Sequence, residues 1–183
     1  MEKVATSIEG LFILKPRVFG DGRGYFYESF NQQKHNELEL SYQFVQDNVS
    51  RSSYGVLRGL HFQKPPHDQA KLVSVLKGKV LDVVVDIRKA SKTYGAYLSI
   101  ELSDENHFQL MIPRGFAHGF SVLEEDTIFS YKVDNLYHPG SECGIQFNDP
   151  ALNIKWQIPE NKIQLSPKDM ENPSFADLVS PFE

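Results

Sequence analysis

Two runs of β-branched and leucine residues, joined by a short turn, constrain the fold of this chain more than any other feature. The runs are Lys71–Leu76 and Val80–Asp86, and Lys77-Gly78-Lys79 lies between them. β-Branched residues favour strands, and a short turn that contains glycine is typical of two adjacent antiparallel strands. The segment therefore predicts a β-hairpin.

Further short strands are predicted along most of the chain, separated by Gly, Pro and Asp. They are Gly24–Phe30, Phe44–Asn48, Gly55–Phe62, Tyr97–Leu102, Phe108–Ile112, Phe116–Leu123 and Thr127–Val133. Their even spacing favours an antiparallel sandwich or barrel over βαβ units. A helix is predicted at Asn31–Leu40 with Asn31 as N-cap, and a helical turn after Ser166 with Pro167 at its first position. We expect one all-β domain, residues 1–183, with short peripheral helices.

Composition and charge exclude several classes of function. The 183 residues carry a formal net charge of −5, without the clustered Lys and Arg that bind a nucleic-acid backbone. Cys143 is the single cysteine, so an intrachain disulfide is excluded and a thiolate metal cluster is not expected. The N-terminus lacks the apolar core of a signal peptide, and no apolar run approaches membrane-spanning length. We expect a cytoplasmic protein that binds neither nucleic acid nor membranes.

Arg58 and His61 are candidate site residues because they lie among apolar residues in the segment Gly55–Gln63. Burial of either side chain without a partner would be costly. Strict alternation along a strand sends two residues three positions apart to opposite faces. If both serve one pocket, the strand must bulge, and Gly59 is the residue that permits a bulge.

Three further polar residues lie in predicted strands, and each has an ordinary structural explanation. Lys71 begins an apolar strand and could rest its stem on apolar surface with its ammonium in water. His118 shares strand parity with Phe116 and Phe120 and is expected to point where they point. A lone strand histidine such as His61 is more often structural than catalytic. Tyr131 has the pattern of a core tyrosine with a satisfied hydroxyl. Their joint occurrence nevertheless favours a shared site.

A series of specific motifs follows in one order along nearly the whole chain. The motifs are Asp21-x-Arg23-Gly24-x-Phe26-x-Glu28, Gln46-x-Asn48-x-Ser50, Gly55-Val56-Leu57-Arg58-Gly59-Leu60-His61, Gln69-x-Lys71-Leu72-Val73, Gly78-x-Val80-x-Asp82-Val83-x-Val85-Asp86, Ser91-x-Thr93-Tyr94-Gly95, Pro113-x-Gly115-Phe116-Ala117-His118-Gly119-Phe120, Tyr131-Lys132 and Asn148-Asp149-Pro150. This order resembles the dTDP-4-dehydrorhamnose 3,5-epimerase family. The resemblance implies a cupin-like jelly-roll β-sandwich, a homodimer, and a dTDP-sugar as substrate. The implied reaction, in dTDP-L-rhamnose biosynthesis, converts dTDP-4-dehydro-6-deoxy-D-glucose to dTDP-4-dehydro-L-rhamnose through enolate intermediates.

Inversion of a carbon beside a ketone needs a base, an acid on the opposite face, and stabilisation of the enolate oxygen. By resemblance His61 is the base, Asp169 its carboxylate partner and Tyr131 the acid. Lys71 is the cation expected at the ketone oxygen. No metal or cofactor is expected, because the family is metal-independent and the His-x-His pair of metal-binding cupins does not occur.

The resemblance also implies a set of substrate-binding residues. Arg23 and Arg58 suit the diphosphate, because a guanidinium matches phosphate oxygens bidentately. The family's N-terminal region helps to build the dimer, so Arg23 or Phe26 is expected to serve the neighbouring copy's site. The other expected contacts are Phe26 or Tyr137 stacked on the base, Glu28, Gln46 and Asn48 at the thymine edge, and His118, Glu142 and Lys168 elsewhere on the substrate.

Other functions stay open at this point. Within the superfamily they are an epimerase of C3 only or C5 only and a 3,4-ketoisomerase, although the presence of both His61 and Tyr131 favours double epimerisation. A noncatalytic sugar-nucleotide binding module would keep its affinity when His61, Lys71 and Tyr131 are replaced. A metal-dependent cupin oxygenase is disfavoured because no His-x-His pair occurs.

Overall fold

Antiparallel strands dominate the computed structural model, which describes residues 1–183. The strands are β1 (Glu2–Ala5), β2 (Phe12–Lys15), β3 (Phe19–Asp21), β4 (Gly24–Phe26), β5 (Gln46–Ser52), β6 (Leu57–Gln63), β7 (Lys71–Lys77), β8 (Lys79–Asp86), β9 (Tyr97–Ser103), β10 (Gln109–Ile112), β11 (Phe116–Val122), β12 (Thr127–Val133) and β13 (Glu142–Gly144). The helices are α1 (Gln32–Glu37) and α2 (Pro167–Met170), with 3₁₀ turns at Pro139–Ser141 and Glu160–Lys162. No helix has both the length and the apolar character needed to cross a bilayer.

Two antiparallel sheets pack face to face in a cupin-like jelly roll, which confirms the predicted all-β class. The six-stranded sheet has the order β1-β2-β10-β7-β12-β5, and the five-stranded sheet has the order β13-β6-β11-β8-β9. Strands β3 and β4 form a separate two-stranded hairpin. The two main sheets supply the walls of the cavity described below.

The hairpin predicted around Lys77-Gly78-Lys79 is wrong. Strand β7 pairs with β10 and β12, whereas β8 pairs with β9 and β11, so this turn carries the chain from one sheet to the other. Gly78 is required there, because its φ is +80° and a Cβ atom would lie 2.4 Å from Oγ1 of Thr127. A tight turn reverses the chain, but packing of the whole domain decides which neighbour each strand pairs with.

Strand β8 is buried on both faces, which explains its nearly unbroken apolar sequence. Val80 and Val84 face the core between the two sheets. Val83 and Val85 face a second core, which the C-terminal segment covers with Trp156 and other apolar side chains. Full burial of one such aliphatic side chain contributes roughly 1.5–3 kcal/mol, so this strand anchors both layers.

The two helices begin where the sequence predicts. The Asn31 side chain accepts a hydrogen bond from the Lys34 backbone N–H, as expected of an N-cap. Ser166 caps α2 in the same way through the Asp169 N–H, and Pro167 occupies the first turn. Helix α1 ends at Glu37, shorter than predicted, and the strand predicted over Gly24–Phe30 ends at Phe26.

Candidate active site

A cavity of about 450 Å³ opens between the two sheets, and the C-terminal segment closes one side of it. Side chains from both sheets line this cavity, so residues from strands that are far apart in sequence meet there. The polar residues in its wall are Ser50, Arg58, His61, Lys71, His118, Tyr131, Gln164, Ser166, Lys168 and Asp169.

Strand β6 bulges between Arg58 and His61, as predicted. His61 lies opposite His118 while Arg58 lies opposite Phe120, so three steps along β6 span two steps along β11. Gly59 permits the bulge: its φ is +124°, and a Cβ atom there would lie 2.5 Å from the Gly119 Cα. The bulge brings both polar side chains to the same cavity.

His61 is held by a buried carboxylate from the C-terminal segment. Its Nε2 hydrogen-bonds to Oδ1 of Asp169, whose side chain is 4% exposed, and Ser166 Oγ donates to Oδ2 at 2.8 Å. Burial alone raises the pKa of Asp169, but the bonds from His61 and Ser166 outweigh it and hold that pKa below its usual range. The ionised carboxylate keeps the proton on Nε2, which leaves Nδ1 as the free ring nitrogen.

Lys71 is a partly desolvated cation in the cavity wall. Burial lowers the pKa of its ammonium to about 8, and the nearby carboxylates of Asp82 and Glu142 limit the decrease. The group is therefore about nine-tenths protonated at pH 7. It can supply positive charge to a bound oxygen in a site of low dielectric.

Tyr131 faces the cavity from the sheet opposite His61. It lies on β12 of the six-stranded sheet, whereas His61 lies on β6 of the five-stranded sheet. Lys71 is on the neighbouring strand β7, where Val73 is the partner of Tyr131. Burial raises the pKa of Tyr131 although Arg58 opposes the shift, so the phenol keeps its proton at neutral pH.

His118 forms a second histidine–carboxylate pair, with Asp82, and sequence reasoning missed Asp82 as a site residue. His118 Nε2 lies 2.9 Å from Oδ2 of Asp82, and the two residues are 7% and 0% exposed. Burial lowers the pKa of His118, and it outweighs the opposing effect of Asp82. A signal for Asp82 existed, because it is the one polar residue within the run Val80–Val85. No group of three or more His, Cys, Asp or Glu side chains is arranged to hold a metal ion.

Five of the predicted substrate-binding residues form a connected network beside the cavity. Glu142 accepts hydrogen bonds from the Tyr137 hydroxyl and from the Lys168 ammonium, each at 2.5 Å. The Gln46 side chain accepts from the Tyr137 backbone N–H at 3.2 Å and donates to Asn48 at 2.8 Å. Burial raises the pKa of Glu142, but its bonds with Lys168 and Tyr137 keep the pKa below its usual range.

Four of these network residues, Gln46, Asn48, Tyr137 and Glu142, lie outside the cavity lining, and three other predicted residues lie farther along the surface of the chain. Arg23 and Phe26 belong to the exposed β3–β4 hairpin, where the Arg23 side chain is 91% exposed and pairs with Asp21. Glu28 follows this hairpin and pairs instead with Lys34 of helix α1. Their binding roles therefore stay predictions.

Comparison with known proteins decides the family. The model of the dTDP-4-dehydrorhamnose 3,5-epimerase family matches residues 5–177. The chain belongs to this family. The dTDP-4-dehydrorhamnose 3,5-epimerase of Escherichia coli (strain K12) is 53% identical over 181 residues, which cover 98% of this chain and 97% of that protein.

Solved structures show the same fold. The dTDP-4-dehydrorhamnose 3,5-epimerase from Elizabethkingia anophelis NUHP1 superposes with a TM-score of 0.92 at 54% identity and covers 97% of both chains. A 3,5-epimerase from Legionella pneumophila Philadelphia 1, solved in complex with dTDP-4-keto-L-rhamnose, gives a TM-score of 0.93 at 48% identity. That match covers 97% of this chain and 94% of the Legionella chain. The expected family and fold are thereby confirmed.

Proposed function

We propose that the protein is an isomerase that inverts C3 and C5 of dTDP-4-dehydro-6-deoxy-D-glucose to give dTDP-4-dehydro-L-rhamnose, in dTDP-L-rhamnose biosynthesis. One observation carries the proposal: His61 with Asp169, and Tyr131, enter one cavity from opposite sheets, with Lys71 beside them. Family membership supports it, as does the relative that was solved with dTDP-4-keto-L-rhamnose.

His61 acts as the base. Because Nε2 donates to Asp169, the free Nδ1 removes the proton from the carbon beside the ketone. The imidazolium that forms is stabilised by the Asp169 carboxylate, which also fixes the ring orientation. After each of the two inversions the imidazolium returns its proton to solvent, since the His61 side chain is 28% exposed. The half-buried Tyr131 phenolate regains a proton from solvent at the same stage.

Lys71 stabilises the enolate. A ketone α-proton lies on the order of ten pKa units above imidazole, a gap of about 14 kcal/mol. A cation placed at the developing oxyanion supplies part of that energy without reorganisation during the reaction. C3 and C5 both flank C4, so their enolates share one oxygen and a single ammonium serves both inversions.

Tyr131 acts as the acid. It lies on the sheet opposite His61, so it delivers a proton to the face of the sugar from which His61 has not removed one. Its raised pKa means that the phenol is protonated when the enolate forms. Removal on one face and return on the other inverts the centre.

A homodimer completes the nucleotide site in this proposal. Arg58 lies in the cavity wall and binds the diphosphate. Arg23 and Phe26 come from the hairpin of a second copy, which is supported by the exposure of that hairpin and its separation from the cavity of its own chain. Tyr137 stacks on the thymine, and Gln46, which is bonded to the Tyr137 backbone, contacts the thymine edge.

The remaining predicted contacts divide between the two ends of the substrate. Asn48 is bonded to Gln46 and joins it at the thymine, where Glu28 is also proposed to bind. His118 lies in the cavity wall near the sugar. Glu142 and Lys168, which are paired with each other, hold the mouth of the cavity around the diphosphate.

Deuterium incorporation tests the function directly. The substrate is incubated with the protein in D₂O, and NMR follows C3 and C5. Deuterium at both carbons, lost in His61→Ala, is the expected result. Exchange at one carbon only would show a monoepimerase, and binding without exchange would show a noncatalytic module.

Tyr131→Phe tests the acid. This variant is expected to lose inversion, because the enolate then has no proton donor on the Tyr131 side. Tyr97→Phe is the matched control, since Tyr97 lies on β9 and does not line the cavity. Equal loss of activity in both variants would contradict the role given to Tyr131.

A further inference from the structure

Gln63 ties together two loops that flank the cavity. It lies two residues after His61 on β6, on the same face of the strand, and it is 5% exposed. Its Nε2 donates to the backbone oxygens of His67 at 2.6 Å and Leu136 at 3.3 Å. Its Oε1 accepts from the His138 backbone N–H at 2.7 Å. All three bonds therefore go to main-chain atoms of loop 64–70 and loop 134–141.

The same two loops are also bonded directly to each other. Gln69 Nε2 donates to the Asn135 carbonyl at 2.7 Å, and Asn135 Nδ2 donates to the Pro66 carbonyl at 3.0 Å. The rings of His67 and His138 stack with centroids 3.9 Å apart. The loops thus form one bonded unit, and Gln63 is the side chain of β6 that joins this unit to the sheet carrying His61.

The loops carry or adjoin groups that the proposed function places on the substrate. Loop 64–70 leads directly into Lys71, the first residue of β7. Loop 134–141 carries Tyr137 and connects β12, with Tyr131, to Glu142 of β13. A shift of this unit would displace Tyr137 relative to the cavity while leaving His61 and Asp169 in place.

We propose that Gln63 is a positioning residue that sets the nucleotide-binding wall against the strand that carries the base. The proposal rests on the proposed function, because that function assigns Tyr137 to the thymine. Loss of the Gln63 amide would remove three hydrogen bonds between β6 and the backbone of these loops, so the loops could shift until their backbone groups find other partners. Misplacement of binding groups by a fraction of an ångström weakens binding even when the chemical groups are intact.

The test compares Gln63→Leu with Gln109→Leu. Gln109 is a matched control: it is 2% exposed, tethers a backbone carbonyl (Ser29, 2.7 Å) and does not line the cavity. Calorimetric titration with dTDP and steady-state kinetics are measured on both. Gln63→Leu is expected to raise the Kd for dTDP and the KM by about tenfold or more, with kcat changed less than about threefold. Gln109→Leu is expected to lower the unfolding midpoint and leave the Kd within about twofold.

Unchanged dTDP affinity in Gln63→Leu would overturn the proposal, since Gln63 would then only pack. If the wild-type protein binds dTDP but incorporates no deuterium into the substrate, the proposed reaction is wrong. In that case weaker dTDP binding by Gln63→Leu would still support the positioning role. If Gln63→Leu does not fold, amide hydrogen exchange on the unmodified protein decides. Slower exchange of loops 64–70 and 134–141 with dTDP supports the proposal, and unchanged exchange refutes it.

Discussion

The charge on Lys71 is expected to limit the reaction at alkaline pH. Burial lowers the pKa of this ammonium to about 8, and the proposed chemistry needs its positive charge. A lysine loses charge as pH rises, so the protonated fraction falls from about nine-tenths at pH 7 to about one-tenth at pH 9. We therefore expect kcat/KM to fall about tenfold over this interval, and tenfold per pH unit beyond it.

The assay is the initial rate of deuterium incorporation at substrate concentrations below KM, corrected for spontaneous exchange without enzyme. Under these conditions kcat/KM reports ionisations of the free protein. Lys71→Met is expected to lose about 10²–10³-fold in kcat/KM at pH 7 and to show no decrease centred near pH 8. Tyr131 cannot produce that decrease, because burial raises its pKa above the usual value of 10. A flat profile to pH 9, or a decrease that persists in Lys71→Met, would refute the reasoning.

Three further predictions follow from the same geometry. Asp169→Asn keeps the size of the side chain but removes the charge that stabilises the His61 imidazolium. We expect kcat to fall about 10³-fold and the affinity for dTDP to be retained. Full activity would contradict the pairing of Asp169 with His61. His61→Ala and Arg23→Ala chains that are unfolded and refolded together should regain activity, because one mixed site then has an intact His61 and an intact Arg23 from the second copy. His61→Ala refolded with Tyr131→Phe should not regain activity, and no recovery in either mixture would place Arg23 in its own chain's site. Burial lowers the pKa of His35, so its neutral form stabilises the fold above pH 6.5 and this contribution is lost as pH falls below it. The urea midpoint should therefore decrease less between pH 7.5 and 5.5 in His35→Phe than in the wild type, and parallel decreases would exclude His35 as the cause.

Strands β5 to β12 of the two main sheets were predictable because their side chains alternate or are wholly apolar. Both runs flanking Lys77-Gly78-Lys79 are strands, yet their pairing was predicted wrongly. The local sequence predicts that the chain reverses at this turn. Which sheet each strand joins depends on its partners among β9 to β12, which come later in the chain. Strands β1 to β3 and β13 were not predicted, since they have only three or four residues each and their sequences show no clear alternating or apolar run.

Part of the site was also predictable from the alternation of side chains along the strands. His118 and Tyr131 face the cavity between the sheets, as do Phe120 and Phe129, which lie two positions away on the same strands. Asp169 could be assigned only by resemblance, because an irregular C-terminal segment brings it to His61 across a separation of 108 residues. The hairpin that holds Arg23 is exposed and does not line the cavity of its own chain, so the role proposed for Arg23 in a second copy could be assigned only by resemblance.

The opposite strand parity of Arg58 and His61 itself predicted a feature of the site, the bulge at Gly59. Arg58 and His61 have opposite strand parity, and both are too polar to be buried singly without cost. Placing both at one cavity requires one extra residue in β6, and the register against β11 shows it. The bulge also brings the two backbones so close that a Cβ atom on Gly119 would lie 2.7 Å from the Arg58 carbonyl oxygen. Two glycines therefore face each other where a guanidinium and an imidazole converge, and the absence of side chains at these positions is what allows the polar pair to share the cavity.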